Sequence, residues 1–385
     1  MADRFRLTLA QLNPTVGALS ANADKARKAW EAAREAGADM VALPEMFITG
    51  YQLQDLVLKP AFVTAAMAEI EALAAACADG PAMGIGGPYI SHGHLYNAYF
   101  ILQGGQDTAR VFKHHLPNDA VFDEKRLFDS GPINGPYSVG PVRIGTPVCE
   151  DAWYEDVAEA LAETGAEILL VPNGSPYHRG KFDQRMSLMV SRVVETELPM
   201  VYLNMVGGQD DQVFDGGSFV LNKGGALAVQ MPLFDEDICH VDFVRNADGW
   251  HAEDGPKARL SDEWEQDYRV MVQALRDYMG KSGFSKAVLG LSGGVDSALV
   301  AAIAADALGP ENVRCVMLPS EYTAQSSLED AEAVAKALGC HYDYVPIGAG
   351  RAAITETLAP LFEGLEPDVT EENIQSRLRG LLLMA

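Results

Sequence analysis

Short apolar runs alternate along the chain with longer stretches in which alanine and leucine recur every three or four positions, the pattern of strands interleaved with amphipathic helices. Residues 6–10, 40–43, 83–87, 96–102, 110–112, 143–148, 168–171 and 200–204 read as strands, and 21–35, 62–76, 157–164 and 184–196 as helices. Segments 217–221 and 227–229 read as a hairpin. This mixture of βα units and hairpins predicts a layered α-β-β-α sandwich rather than a doubly wound sheet. From 241 to 257 the chain turns polar and rich in Gly and Asp, which puts the expected boundary there and divides the chain into domains 1–250 and 260–385. Beyond it, a helix over 263–279 feeds a strand at 287–289. Further strands at 313–317 and 342–346 predict a second, parallel α/β domain, and residues 373–384 read as a closing helix.

Composition narrows the class without changing the fold. The 385 residues, 48% hydrophobic, are enough for two buried cores. A formal net charge of −25 opposes binding to nucleic acid or an anionic membrane surface. Five cysteines without a CxxC pair fit a reducing compartment better than a disulfide framework. The first residues lack the apolar core of a signal peptide, and no run reaches the roughly 18 apolar residues of a membrane helix. The expected location is the cytoplasm.

The most informative stretch is AVLGLSGGVDSALVA, residues 287–301. An apolar strand ends in a loop of Gly290, Leu291, Ser292, Gly293 and Gly294, and Val295, Asp296 and Ser297 open an Ala-rich helix. Glycines let backbone N–H groups approach an anion, the helix N-terminus adds partial positive charge, and the two serine hydroxyls can donate to phosphate oxygens. Asp296 fits such a site only through a cation, so it is read as a Mg²⁺ ligand. The GxxxxGK[ST] spacing of a Walker loop is absent. The stretch resembles the SGGxDS loop of the ATP pyrophosphatase family, which implies cleavage of ATP to AMP and pyrophosphate with adenylation of a substrate oxygen. The ordinary alternative is a small-residue turn capped by Ser and Asp.

Upstream, Glu45 in LPEMFITGY, Lys113 in VFKHHLPN and Cys149 in TPVCEDAWY each follow a strand. Groups at the carboxyl ends of strands converge on one edge of a sheet. A thiol becomes nucleophilic when a base and a positive field favour the thiolate; Glu45 could take the proton, and Lys113 could supply the field and bind an oxyanion. Taken singly, the three could be a core thiol, a solvated lysine and a helix cap. Together with their flanking residues they resemble the nitrilase superfamily over about residues 4–245.

A nitrilase-type amidase ahead of an SGGxDS domain resembles the glutamine-dependent NAD synthetase family, a likeness supported by NGSPYHRGK, MLPSEYTAQSSLEDA and TEENIQSRLRG. The resemblance implies a nitrilase-like sandwich followed by a Rossmann-like ATP pyrophosphatase domain. Ammonia released from glutamine would pass through a tunnel and displace AMP from adenylated deamido-NAD. It assigns Cys149 as nucleophile, Glu45 as base, Lys113 as oxyanion stabiliser and Glu124 as the carboxylate orienting Lys113. Glutamine would be held by Ser175, Lys181, Tyr51, Phe122 and Glu150. ATP would lie on Gly290 to Ser297 with Met317 near adenine, deamido-NAD on Asn373 and Arg377, and Mg²⁺ on Asp296 and Glu372. A homo-oligomer, from dimer to octamer, is implied.

Two departures matter. Asp119 stands where the family commonly has Tyr after LPN, and its charge would either repel the substrate α-carboxylate or pair with the α-amino group. Family members also continue for well over a hundred residues past the LMA segment, so the chain is expected to be truncated. Two other readings follow: an amidase or glutaminase alone, with an incomplete synthetase domain, and a nucleotide-binding or assembly protein with decayed sites.

Overall fold

The computed structural model describes residues 3–119, 121–366 and 368–385. Two compact units, Met1–Val270 and Met271–Ala385, divide the chain.

The first unit carries β1 (Arg4–Gln11), α1 (Leu19–Glu35), β2 (Met40–Ala42), α2 (Pro60–Ala76), β3 (Ala82–Ser91), β4 (His94–Gln103), β5 (Gln106–Phe112) and α3 (Glu124–Leu127). There follow β6 (Tyr137–Val139), β7 (Val142–Gly145), α4 (Glu155–Glu163), β8 (Ile168–Asn173), α5 (Lys181–Thr196), β9 (Met200–Asn204), β10 (Val206–Gln209) and β11 (Gln212–Asp215). The last strands are β12 (Phe219–Asn222), β13 (Ala226–Gln230), β14 (Asp237–Asn246) and β15 (Gly249–Ala252). Seven strands in the order β15-β14-β1-β2-β3-β4-β5 face six in the order β13-β12-β9-β8-β7-β6. Alternate residues of both sheets, among them Leu7, Leu9, Ile144, Leu170 and Val220, fill one shared core. The opposite face of the first sheet is covered by α1 and α2 through Ala26, Trp30, Ala66 and Ile70. The opposite face of the second is covered by α4 and α5 through Val157, Leu161, Met189 and Val193. The α-β-β-α sandwich predicted from the pattern is therefore the observed one.

The stretch 241–257 is not a linker. Most of it is β14 and β15, and β14 pairs antiparallel with β1 along all eight residues of that strand. Cys239, Val241 and Phe243 point inward while His240 is exposed and Asp242 half-buried, so an edge-side strand reads as polar. The two compact units meet at Val270/Met271, inside α6 (Glu263–Lys281).

The second unit holds β16 (Ala287–Gly290), α7 (Val295–Leu308), β17 (Val313–Met317), α8 (Gln325–Leu338), β18 (His341–Tyr344), α9 (Gly348–Leu358) and α10 (Val369–Met384). Its sheet is parallel, in the order β16-β17-β18. Among the described residues no helix is long and apolar enough to cross a membrane.

Candidate active site

Glu45 sits in the turn after β2. That turn is pressed against β3: a Cβ on Gly86 would lie 2.1 Å from the Met46 nitrogen, so only glycine admits the approach. Met46 itself has φ +50°. Lys113 follows β5, Glu124 opens α3, and all three side chains are buried. Lys113 Nζ lies 2.7 Å from Glu45 Oε1 and 2.7 Å from Glu124 Oε2. Asn97 Nδ2 on β4 donates to Glu45 Oε1 at 2.7 Å and to Glu124 Oε1 at 3.1 Å, and Tyr51 donates to Glu124 Oε1 at 2.8 Å. The Gly174 amide, at the end of β8, donates to Glu45 Oε2 at 2.9 Å. Two carboxylates and one ammonium thus share a fully buried space with a formal net charge of −1.

Cys149 begins a short 3₁₀ turn, Cys149–Trp153, and has φ +49°, a left-handed conformation that a non-glycine residue adopts only where its surroundings impose it. Asp151 ties this turn to the lysine strand. Its Oδ2 accepts from the Val148 amide at 3.0 Å, and its Oδ1 accepts from the His114 and His115 amides at 3.0 and 2.7 Å. Burial lifts the Asp151 carboxyl to about 6 against the pull of those amides. Burial and the Glu45 charge push the Cys149 thiol well above its ordinary value, with Lys113 acting in the opposite direction. Both causes favour the neutral thiol over the thiolate. Burial alone would lower Lys113, but Glu124 and Glu45 more than offset it and hold the ammonium charged. Glu124 is raised by burial, with Lys113 opposing.

Around this centre Ser175 is buried, its Oγ accepting from Arg185 Nε at 3.1 Å and its amide donating to Asn204 Oδ1 at 3.0 Å. Lys181 Nζ lies 4.2 Å above the Trp153 ring, and burial together with Arg185 lowers its pKa. Tyr51 and Phe122 pack with ring centroids 6.2 Å apart. Glu150 lines a cavity of about 600 Å³ that Asp119 also borders.

In the second unit, strand, loop and helix fall where the sequence put them. Ser292 Oγ and Ser297 Oγ are 3.0 Å apart, Ser297 Oγ donates to the Gly294 carbonyl at 2.9 Å, and the Ser292 amide donates to Ser297 Oγ at 3.1 Å. Gly293 has φ +82°, and a Cβ there would meet the Ser327 carbonyl oxygen at 2.3 Å. A cavity of about 360 Å³ is lined by Gly290, Leu291, Ser292, Met317 and Arg379, among others.

The carbon-nitrogen hydrolase family matches residues 6–248, and the NAD synthase family matches residues 267–385. A glutamine-dependent NAD(+) synthetase from Rhodobacter capsulatus is 63% identical over 385 residues, an alignment covering 100% of this chain and 70% of that protein. The chain belongs to the glutamine-dependent NAD(+) synthetase family. A family member from Thermotoga maritima is 37% identical over 414 residues, with 99% of this chain and 72% of that protein covered. The solved synthetase from Acinetobacter baumannii, in complex with ADP, superposes with a TM-score of 0.95 at 36% identity, covering 99% of this chain and 72% of that one.

The residues expected from the synthetase motifs fall on different faces of their helices. Glu372, Asn373 and Arg377 lie on exposed positions of α10, whereas Arg379 and Leu383, one turn apart on another face, line the cavity beside the glycine loop. Val295 and Asp296 are exposed at the start of α7. Four residues of the glutaminase-type centre have no place in the expected set: Asn97, Asp151, Asn204 and Arg185. Fully buried Arg185 donates to both carboxylate oxygens of Asp215 at 2.8 Å and to the Ser175 carbonyl at 2.8 Å. The available signal was a polar residue amid apolar neighbours, as in LYNAYFI, which means burial with a partner but does not name the partner.

Proposed function

We propose that the chain performs glutamine-dependent NAD synthesis, with residues 1–250 as the amidohydrolase domain and 260–385 belonging to the synthetase domain. The observation that carries the reading is a buried Glu45–Lys113–Glu124 set beside a cysteine held at positive φ. Glu45 takes the Cys149 proton as sulfur attacks the glutamine amide carbon. Lys113 and a backbone amide stabilise the oxyanion, the protonated nitrogen leaves as ammonia, and water cleaves the thioester to glutamate. Burial and the Glu45 charge favour the neutral thiol, so the proton is proposed to move to Glu45 as sulfur attacks. Glu124 keeps Lys113 aimed at that centre. Ser175, Lys181, Tyr51, Phe122 and Glu150 form the glutamine pocket, with Lys181 on the α-carboxylate.

In the synthetase domain, Gly290 to Ser297 cradle the phosphates of ATP and Met317 borders the adenine. The nicotinate carboxylate of deamido-NAD is adenylated, and ammonia displaces AMP to give NAD. Asn373 and Arg377 are the proposed deamido-NAD contacts. Mg²⁺ is usually bound by one or two carboxylates plus substrate phosphates, and an exposed Asp296 beside the glycine loop fits that donor set, with Glu372 a second candidate. Bound there, Mg²⁺ would neutralise phosphate charge. The proposed assembly is a homo-oligomer and the proposed location the cytoplasm.

The test is NAD formation from deamido-NAD, ATP and Mg²⁺ with glutamine or ammonium as donor, in the wild type and Cys149→Ala. The reading expects Cys149→Ala to abolish only the glutamine-driven reaction. No NAD from either donor, with glutamate still released, would instead favour a glutaminase alone.

A further inference from the structure

Outside the reacting centre, one nitrogen of His114, one nitrogen of His115 and a carboxylate oxygen of Asp156 all lie within 4.8 Å of one another. Both imidazoles are fixed in place. His114 Nδ1 is 2.7 Å from the Gly131 carbonyl oxygen, which can only accept, so Nδ1 donates there and Nε2 is the nitrogen that carries the lone pair in a neutral ring. That is the arrangement in which a backbone carbonyl orients a metal-binding histidine. His115 packs on Tyr154 with ring centroids 4.2 Å apart, and its Nε2 lies 2.9 and 3.0 Å from the two Asp156 oxygens. Asp151 pins the backbone of both histidines. Asp156 is exposed in the first turn of α4, so an ion reaches it from solvent. Both histidines line the 600 Å³ cavity, leaving room for water as a further ligand.

Two imidazole nitrogens and one carboxylate oxygen suit zinc and its neighbours in the first transition row, not Mg²⁺, which prefers an all-oxygen shell. We propose that His114, His115 and Asp156 form a binding site for a divalent transition ion, for which Zn²⁺ is the probe, on the rim of the cavity that Glu150 and Asp119 also line. On binding, His115 Nε2 gives up to solvent the hydrogen it shares with Asp156, the neutral ring carrying its hydrogen on Nδ1, and Asp156 turns from hydrogen-bond acceptor to ligand.

The experiment is calorimetric titration of the full chain with Zn²⁺ at fixed pH, in the wild type, Cys149→Ala, His114→Ala and Asp156→Asn. One equivalent should bind to the wild type and to Cys149→Ala alike, and each of the other two variants should weaken that binding by at least about tenfold. Asp156→Asn alters an exposed side chain, so it remains informative even if His114→Ala fails to fold. Co²⁺ substitution supplies a second readout: visible d–d bands without a thiolate charge-transfer band. Binding that vanishes in Cys149→Ala, a thiolate band with Co²⁺, or equal binding by wild type and Asp156→Asn would overturn the site. Zn²⁺ is also expected to slow glutamine hydrolysis by the wild type more than by Asp156→Asn. That readout alone rests on the proposed glutaminase function; the titration does not.

Discussion

Replacing Lys113 by Met removes the ammonium that lies 2.7 Å from a carboxylate oxygen of both Glu45 and Glu124, two groups that also share the Asn97 amide. The wild-type set carries two negative charges and one positive, net −1. Without the ammonium the net charge is −2 in a fully buried space, and the least costly escape is uptake of one proton. Breaking a buried ion pair from one side costs about 3–5 kcal/mol, the expected deficit of Lys113→Met at neutral pH and above. At about 1.36 kcal/mol per unit, that equals a carboxyl raised roughly 2–4 units above its unfolded value. A carboxyl raised in the native state favours folding fully below its unfolded pKa, and that contribution is lost as pH rises through the native pKa. The deficit should therefore be small near about pH 5 and full near about pH 8. Urea denaturation of wild type and variant at both pH values, followed by tryptophan fluorescence, measures it. Equal midpoints near pH 8, or a deficit of the same size at both pH values, would refute the charge argument. Glutamate release by the variant should be lost at every pH.

Three further outcomes follow from the same contacts. Asp151, lifted by burial to about 6, stabilises the fold fully below its unfolded value and loses that contribution as pH rises through about 6. The stability of the wild type relative to Asp151→Asn should accordingly rise by roughly 2 kcal/mol from neutral pH to about pH 4, read from paired urea curves. Arg185→Met leaves Asp215 buried without its partner and should cost about 3–5 kcal/mol by urea denaturation, with Arg185→Met/Asp215→Leu recovering part of the loss. Gly293→Ala places a methyl against the Ser327 carbonyl at positive φ, a strain of about 1–3 kcal/mol, and should abolish ATP binding by calorimetry while sparing glutamate release.

Much of this molecule is legible in the sequence where the information is local. The run 287–301 contains its strand, its glycine loop and the start of its helix, and the fold realises all three. Glu45, Lys113 and Cys149 each follow an apolar run, and the sheet edge brings the glutamate and the lysine into contact while the Cys149 turn is tied to the lysine strand through Asp151. What depends on a distant partner stays hidden. Asn97 bridges residues 52 positions before and 27 positions after it, and nothing in LYNAYFI names either. Asp151 looks like the companion of the nucleophile in CED, yet its Oδ1 serves the histidine backbone more than thirty residues away. Strand β14 reads as linker because its outward residues are polar; the pairing of Arg6 with Asp242, Nε to Oδ1 at 2.8 Å, explains one of them. The hairpin of β10 and β11 hides in a Gly- and Asp-rich run whose role is to deliver Asp215 to Arg185. On α10, motif resemblance points to Asn373 and Arg377, while helical geometry turns Arg379 and Leu383 toward the cavity.

The central claim is that Cys149 attacks the amide carbon of glutamine. The most direct measurement is intact-protein and peptide mass spectrometry after exposure to a glutamine analogue bearing a diazoketone in place of the amide, alongside glutamate release from glutamine. The account predicts one adduct per chain, on Cys149, loss of glutamate release in step with labelling, and neither adduct nor release in Cys149→Ala. An adduct on Cys77, Cys239, Cys315 or Cys340, or glutamate release that survives Cys149→Ala, would contradict it.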